Sequence, residues 1–308
     1  MDGIGWNLDI LDFIKSPRMD SNKQPDFFSL QIANARRFYA APKNSRGAPL
    51  AVISGGLEQC APEYEIHRAT FPYFGIEFVA QGRGKLILGG KSYELAAGTL
   101  FSYGPGISQD IVSDPGEPLV KYFVDFSGKQ AAALLERCGQ TPGQVVQTSA
   151  PGEVLAVWDD LIRNGLRETP FGPRIGVVLL EYLLLKITET AIPYGSSGTP
   201  AFASYRRCRQ WIEDRFLRLA SLGQIGAECH IDPAYLCRLF RRFDHQSPYQ
   251  YVMRLKMRHA TQRLQSPGIV IKQVADEVGF EDPAHFSRVF KKIEGLSPAQ
   301  FVRFCQRE

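Results

Sequence analysis

The sequence predicts a multi-domain α+β chain: a β-barrel, a helical segment, then an all-α domain of two helix-turn-helix units joined by a linker helix. Three observations predict it. Short apolar runs punctuated by glycine turns fill residues 50–126, and apolar residues then recur at helical spacing as far as residue 192. Near the C-terminus one pattern occurs twice. The expected divisions are 1–127 for the barrel with an N-terminal extension, 128–193 for the helices, 194–201 for a linker and 202–308 for the repeated units.

Residues 75–80 read as a strand, 81–84 as a turn and 85–88 as the next strand. Gly89-Gly90-Lys91 is a second turn, 92–95 a third strand, and 97–103 leads into the loop Gly104-Pro105-Gly106. Strands this short at this spacing argue a small barrel or sandwich. Strand alternation puts Glu77 and Val79 on one face and Ile76, Phe78 and Ala80 on the other, and either face can point inward. Glu77, Tyr103 and Gln109 are the candidate pocket residues, with a surface or turn position as the competing reading.

Three helices follow, at 131–138, 154–166 and 174–190. The last carries Val177, Val178, Leu179, Leu180, Leu183, Leu184 and Ile187, so it is apolar over more than half its circumference. It either meets another surface or is buried against the barrel. Residues 194–200, rich in Gly and Ser, read as a flexible linker.

The duplicated pattern is Asp232-Pro233-Ala234-Tyr235-Leu236-Cys237-Arg238-Leu239-Phe240-Arg241-Arg242-Phe243, echoed by Asp282-Pro283-Ala284-His285-Phe286-Ser287-Arg288-Val289-Phe290-Lys291-Lys292-Ile293. Leu236, Leu239, Phe240 and Phe243, then Phe286, Val289, Phe290 and Ile293, form one buried stripe in each helix. Asp232 and Asp282 are N-caps followed by Pro in the first turn. A short helix precedes the first copy, at 221–229 with Ser221 as N-cap, its counterpart is the segment 271–280, and Gly226 and Ala275 are small enough for close approach. Gly279 suits a turn with positive φ. Helix, tight turn and capped basic helix make a helix-turn-helix. A helix from Ser247-Pro248 to about Leu264, ended by Ser266-Pro267-Gly268, joins the units. Its ~17 residues span about 25 Å, which holds the basic helices near one turn of B-DNA apart.

Charge agrees with this division. From Ala201 onward there are 18 Lys and Arg against 11 Asp and Glu, a net +7 within a chain of net +4. The C-terminal third is therefore the polyanion-binding part, with double-stranded DNA the expected partner. Arg238 and Arg288 suit bidentate contact with guanine. Ala234, Tyr235, Cys237, Ala284, His285 and Ser287 flank them, and Arg241, Arg242, Lys291 and Lys292 face the phosphates.

Other classes recede. The six cysteines are scattered without CxxC spacing and read as free thiols in a reducing cytoplasm. No run reaches the ~18 apolar residues of a membrane span, and Met1–Trp6 lacks the layout of a signal peptide. No His-x-His occurs, and His67 is the one histidine in the barrel region, so a metal-dependent enzyme lacks its ligand cluster; neither cofactor nor metal is expected.

In residues 203–305 the chain resembles the AraC family of bacterial transcription regulators. The resemblance is densest from Val274-Ala275-Asp276-Glu277-Val278-Gly279-Phe280 through His285–Lys292 to Gly295-Leu296-Ser297-Pro298. The first unit departs at Gly226, at His230 and at Asp244-His245. The glycine punctuation of the barrel is similar to the family's cupin-like sensing domain. The resemblance implies a small-molecule effector, a sugar as the first guess, bound in the barrel. It also implies a homodimer paired through helices in the 128–193 segment, and RNA polymerase as a further candidate partner. The rivals are a ligand-independent DNA-binding regulator with a structural barrel and a metal-dependent cupin enzyme.

Overall fold

The computed structural model describes residues 25–40, 47–219, 221–266 and 268–305; the start at Met1–Trp6 and the helix-ending Pro267 lie outside them. The chain divides into two compact units, Met1–Ser197 and Gly198–Glu308.

The first unit is a β-sandwich with helices on one side. Its strands are β1 (Ile32–Tyr39), β2 (Ala51–Cys60), β3 (Glu65–Arg68), β4 (Phe74–Gln81), β5 (Arg83–Leu88) and β6 (Lys91–Ala96). They continue with β7 (Thr99–Tyr103), β8 (Gln109–Ser113), β9 (Val120–Ser127), β10 (Val145–Thr148) and β11 (Ala191–Pro193). Seven form one sheet in the order β1-β2-β9-β4-β7-β10-β11, and four form a second in the order β3-β8-β5-β6. The second sheet has an outer face in water, so β5 alternates between exposed and buried residues. The first sheet is covered on both faces, so seven consecutive residues of β9, Val120–Phe126, are buried.

Helices α1 (Ala131–Arg137), α2 (Pro151–Gly165) and α3 (Gly172–Thr190) cover the seven-stranded sheet. Ile76, Phe78, Val124 and Phe126 share one core with Trp158, Leu161, Leu180, Leu183, Leu184 and Ile187. The opposite faces of the same strands supply the sandwich interior, with Val79, Phe101 and Tyr103 meeting Leu86, Leu88 and Ile111 of the second sheet. This settles the alternation at β4: Glu77 and Val79 point into the barrel, whereas Ile76 and Phe78 point at the helices.

One expectation changes. The 128–193 segment is not all helix, because β10 pairs with β7 and β11 pairs with β10. The edge of β7 would otherwise leave its backbone groups unpaired. Residues 194–201, the expected linker, carry local contacts at each end. The Tyr194 hydroxyl donates to the Glu94 carbonyl and accepts from its N–H, its ring meets Tyr93 edge-on, and Thr199 caps a helix that begins at Pro200.

The second unit is helical throughout its described length: α4 (Pro200–Arg215), α5 (Leu222–Glu228), α6 (Pro233–Asp244), α7 (Pro248–Leu264), α8 (Ile271–Glu277), α9 (Pro283–Glu294) and α10 (Pro298–Cys305). Ser221, Asp232 and Asp282 cap α5, α6 and α9, and Ser247 with Gln250 forms a capping box on α7. At Gly226 a Cβ would lie 2.7 Å from the Ile231 carbonyl, so the first turn sits closer on α5 than a side chain there would allow without a shift.

The two helix-turn-helix copies differ in how well their stripes are covered. Phe240 and Phe243 meet Tyr205 of α4, and Phe243 also meets Phe202 edge-on. The second copy has only the short α10 beyond it, so the expected buried stripe ends early: Val289 is half-buried and Ile293 is 39% exposed. Phe243→Ala should therefore cost about 3–5 kcal/mol of stability, and Ile293→Ala less than about 1 kcal/mol, in denaturant unfolding followed by helical signal.

Candidate functional sites

Two surfaces concentrate chemistry, one in each unit. In the second unit α6 and α9 each bury one face and expose the other. Ala234, Arg238, Arg241 and Arg242 are exposed, with Tyr235 and Cys237 half-buried beside them; Ala284, His285, Arg288, Lys291 and Lys292 are exposed, with Ser287 half-buried. The Arg238 guanidinium lies over the Tyr235 ring at 5.4 Å. Arg288 reaches to 3.5 Å from the Asp282 carboxylate, itself held low in pKa by the backbone N–H groups of Ala284 and His285. These solvent-exposed contacts are weak, so both guanidinium groups are free to exchange them for another anion or a base edge. The Ser287 hydroxyl is committed to the Pro283 carbonyl.

In the first unit strand register assembles a buried polar cluster. Ser54 of β2, Asp125 of β9, Gly75 of β4 and Tyr103 of β7 lie in one row across the sheet. A Cβ on Gly75 would sit 2.3 Å from the Tyr103 ring, so glycine lets that ring cross β4. The Tyr103 hydroxyl then donates to Asp125 at 3.0 Å, and Ser54 donates to the other carboxylate oxygen at 2.6 Å. A second row brings Glu58, Lys121 and Val79 together, with Glu77 beside it. The Lys121 ammonium contacts Glu58 at 2.7 Å and Glu77 at 2.9 Å, and Arg37 contacts Glu58 at 2.8 Å.

Burial by itself would neutralise these groups. It pushes the Lys121 pKa down, but Glu58 and Glu77 outweigh it and raise the value well above normal. It pushes Glu58 up, but Lys121 and Arg37 outweigh it and hold Glu58 low. Asp125 has hydroxyl donors in place of an ion-pair contact. Burial dominates there and raises it to about 7, against the opposing pull of Ser54 and Tyr103.

These groups line a cleft with an empty volume of about 290 Å³, counted out to solvent. Phe27, Phe28, Tyr64, Phe71, Tyr103 and Phe123 form its aromatic walls; Glu58, Arg68, Glu77, Lys121 and Asp125 are its charged groups. The Tyr64 hydroxyl is buried without a hydrogen-bond partner among the described residues. Arg68 donates to the Phe27 carbonyl and Arg37 to the Ser29 carbonyl, which fastens the segment before β1 to the rim.

Of the three pocket candidates, Glu77 and Tyr103 lie in this cleft. Gln109 does not: it is fully buried in the second sheet, in register with Arg68 and Leu88, and lies outside the cleft lining. Glu58, Tyr64, Lys121 and Asp125 are cleft residues that the sequence reading misses. The readable signal is Lys121 and Asp125, two charges on one face of an otherwise apolar run. His67 points outward, between Glu65 and an Asp110 oxygen at 3.0 Å, and these carboxylates raise its pKa. Among the described residues no group of three or more His, Cys, Asp or Glu is arranged to hold a metal ion. Nor is any described helix long and apolar enough to cross a membrane.

An Asp whose folded pKa is about 7 and whose unfolded value is about 3.9 binds more protons when folded. Its contribution is fully present below about pH 4 and is lost as pH rises through 7. Between pH 5 and 8 the chain should therefore lose on the order of 2–3 kcal/mol that Asp125→Asn does not lose, seen as a parent-minus-variant difference in denaturant midpoint.

Comparison with known proteins follows the same division. Residues 53–174 match the profile of the AraC-like ligand binding domain, and residues 225–303 match that of a helix-turn-helix domain; together they take in well over half of the chain. The chain is 23% identical over 240 residues to the Msm operon regulatory protein of Streptococcus mutans, covering 76% of this chain and 85% of that protein. It is 22% identical over 232 residues to the lactose operon transcription activator of Staphylococcus xylosus, covering 74% and 83%. Among solved structures, the C-terminal domain of AraT, a response regulator from Geobacillus stearothermophilus, is 29% identical with a TM-score of 0.32. It covers 34% of this chain and 86% of that one. ToxT from Vibrio cholerae is 13% identical with a TM-score of 0.31, covering 82% of this chain and 97% of that one.

Proposed function

The chain belongs to the AraC family of DNA-binding transcription regulators, with a ligand-binding domain ahead of its helix-turn-helix domain, and we propose that a polyhydroxylated small molecule in the barrel cleft controls an operon through it. The observation that carries this reading is the cleft itself. Carboxylates that accept hydrogen bonds from hydroxyls, an ammonium that donates them, and aromatic walls that stack on C–H faces suit a sugar-like ligand better than a purely apolar one. Glu77 and Tyr103 are contact residues in this proposal, together with Tyr64, Lys121 and Asp125. A relative named as a lactose operon activator supports the same class. The protein works in the cytoplasm as a regulator, not a catalyst, and its output is access of RNA polymerase to the promoter.

The test titrates a carbohydrate panel against the full chain. A ligand should raise the melting temperature and shift operator affinity, and Glu77→Gln should weaken that ligand. A ligand that leaves operator binding unchanged would return the barrel to a structural part, because equal affinity for two states shifts neither.

DNA readout follows the exposed faces. Arg238 and Arg288 read bases, Ala234, Tyr235, Cys237, Ala284, His285 and Ser287 border them, and Arg241, Arg242, Lys291 and Lys292 meet phosphates. Arg238→Ala and Arg288→Ala should each cost about 1–3 kcal/mol on the preferred site and relax one base position. Lys291→Ala should weaken all sequences alike and reduce the salt slope by about one. Titration against duplexes at several salt concentrations distinguishes the two classes.

The homodimer forms on α3 in this reading. While Leu180, Leu183, Leu184 and Ile187 are buried beneath the helix, Phe171, Ile175, Val178, Tyr182 and Leu185 are exposed at intervals of 4, 3, 4 and 3 residues. That is a heptad seam. Antiparallel pairing about Val178 sets Arg174 of one copy near Glu181 of the other. Val178→Asp should give monomers in sedimentation velocity and weaken binding to a two-half-site operator.

A further inference from the structure

Among the described residues, two that are not glycine have positive φ, and both are histidines at the ends of one DNA-binding helix. His230, at φ +53°, stands in the turn before α6; His245, at φ +52°, ends α6. The duplication supplies an internal control. His230 corresponds to Gly279, at φ +76°, and His245 to Gly295, at φ +80°. The turns are otherwise alike: the His230 N–H bonds the Ala227 carbonyl as the Gly279 N–H bonds that of Asp276, and the next residue bonds Gly226 as its counterpart bonds Ala275. The same backbone is built without strain in the second copy and with strain twice in the first. Left-handed backbone is unfavourable for any residue with a Cβ, and histidine tolerates it better than most.

Both side chains are exposed, so neither offsets the strain by packing. Their placement points to another role. Tyr235, Arg238 and Arg242 follow at intervals of 3 and 4 along one face of α6, and His245, its exposed C-cap, stands three residues beyond Arg242. His230 lies two residues before the Asp232 cap, at the opposite end of the same helix. We propose that His230 and His245 are phosphate contacts of the first helix-turn-helix unit, donating ring N–H groups to the DNA backbone on either side of the bases that α6 reads. The proposal rests on α6 being the DNA-contacting helix of that unit. It makes the two copies unequal, the first clamped at both ends of its reading helix and the second held by its lysines.

The experiment uses the full chain and two duplexes, one selected by the parent protein from a random-sequence pool and one scrambled. His230→Gly and His245→Gly should each raise the melting temperature by about 2 °C, because strain is removed. The double variant should nevertheless bind both duplexes about five- to tenfold more weakly, without changing the preference between them. His230→Asn and His245→Asn, which accept the same backbone and keep an N–H donor, should retain most of the affinity. Glycine variants that bind as the parent does would overturn the proposal, as would variants that melt lower. Arg238→Ala, measured alongside, should lose preference for the selected duplex. If it binds as the parent does, the reading of α6 fails, whereas the histidine variants report on their own contacts.

Discussion

Lys121 sits between Glu58 and Glu77 inside the barrel, and accommodating that charge is the constraint around which the first unit is arranged. An ammonium removed from water is costly unless carboxylates meet it at close range. Glu58 and Glu77 come from strands on either side of β9, so the sheet must hold β2, β9 and β4 in one register. That register also places Ser54 and Tyr103 on Asp125. A slip of one residue would turn Lys121 and Asp125 toward Trp158 and the helices, and turn Tyr122 and Val124 into the cleft. The charge cluster is thus both the floor of the cleft and a device that specifies the sheet.

The helices on the far face impose the matching constraint. Because α2 and α3 cover the seven-stranded sheet, β4 and β9 carry Ile76, Phe78, Val124 and Phe126 on the helix side, while Glu77, Lys121 and Asp125 of the same strands face the cleft. The cleft and α3 are therefore back to back across one sheet. Under the proposed reading, an occupant that shifted β9 or β4 would press on Phe78 and Val124, which share a core with Leu180 and Leu184. Close-packed cores transmit such shifts because they have few voids to absorb them. The proposed ligand would thereby have a physical route to the exposed face of α3 within a single unit.

In the second unit the design is local. Each reading helix is set by an Asp cap, a Pro in the first turn and a left-handed residue at its end, all within a dozen or so residues of chain. What differs between the copies is the support around them. Arg209 of α4 donates to Tyr251 and Glu213, joining α4 to α7 beneath the first helix-turn-helix. The stripe of the second helix-turn-helix instead runs out into solvent at Ile293 and Leu296.

The sequence by itself determined the parts whose causes are local. Caps, proline positions, the duplicated stripe and the extent of α7 all follow from residues within a turn or two of one another, so they were legible. The glycine turns of the barrel were legible for the same reason. Tertiary structure decided what depends on pairing between distant strands. It decided that Glu77 faces inward, that Tyr103 crosses Gly75 to reach Asp125, that Gln109 lies away from the cleft, and that β10 and β11 complete a sheet within an apparently helical stretch. β9 was hard to read because both its faces are buried, which erases the alternation that marks a strand. The exposed seam of α3 was hidden likewise, since an apolar helix looks the same in sequence whether one face or two are covered. Only the sheet beneath it shows which side was left over.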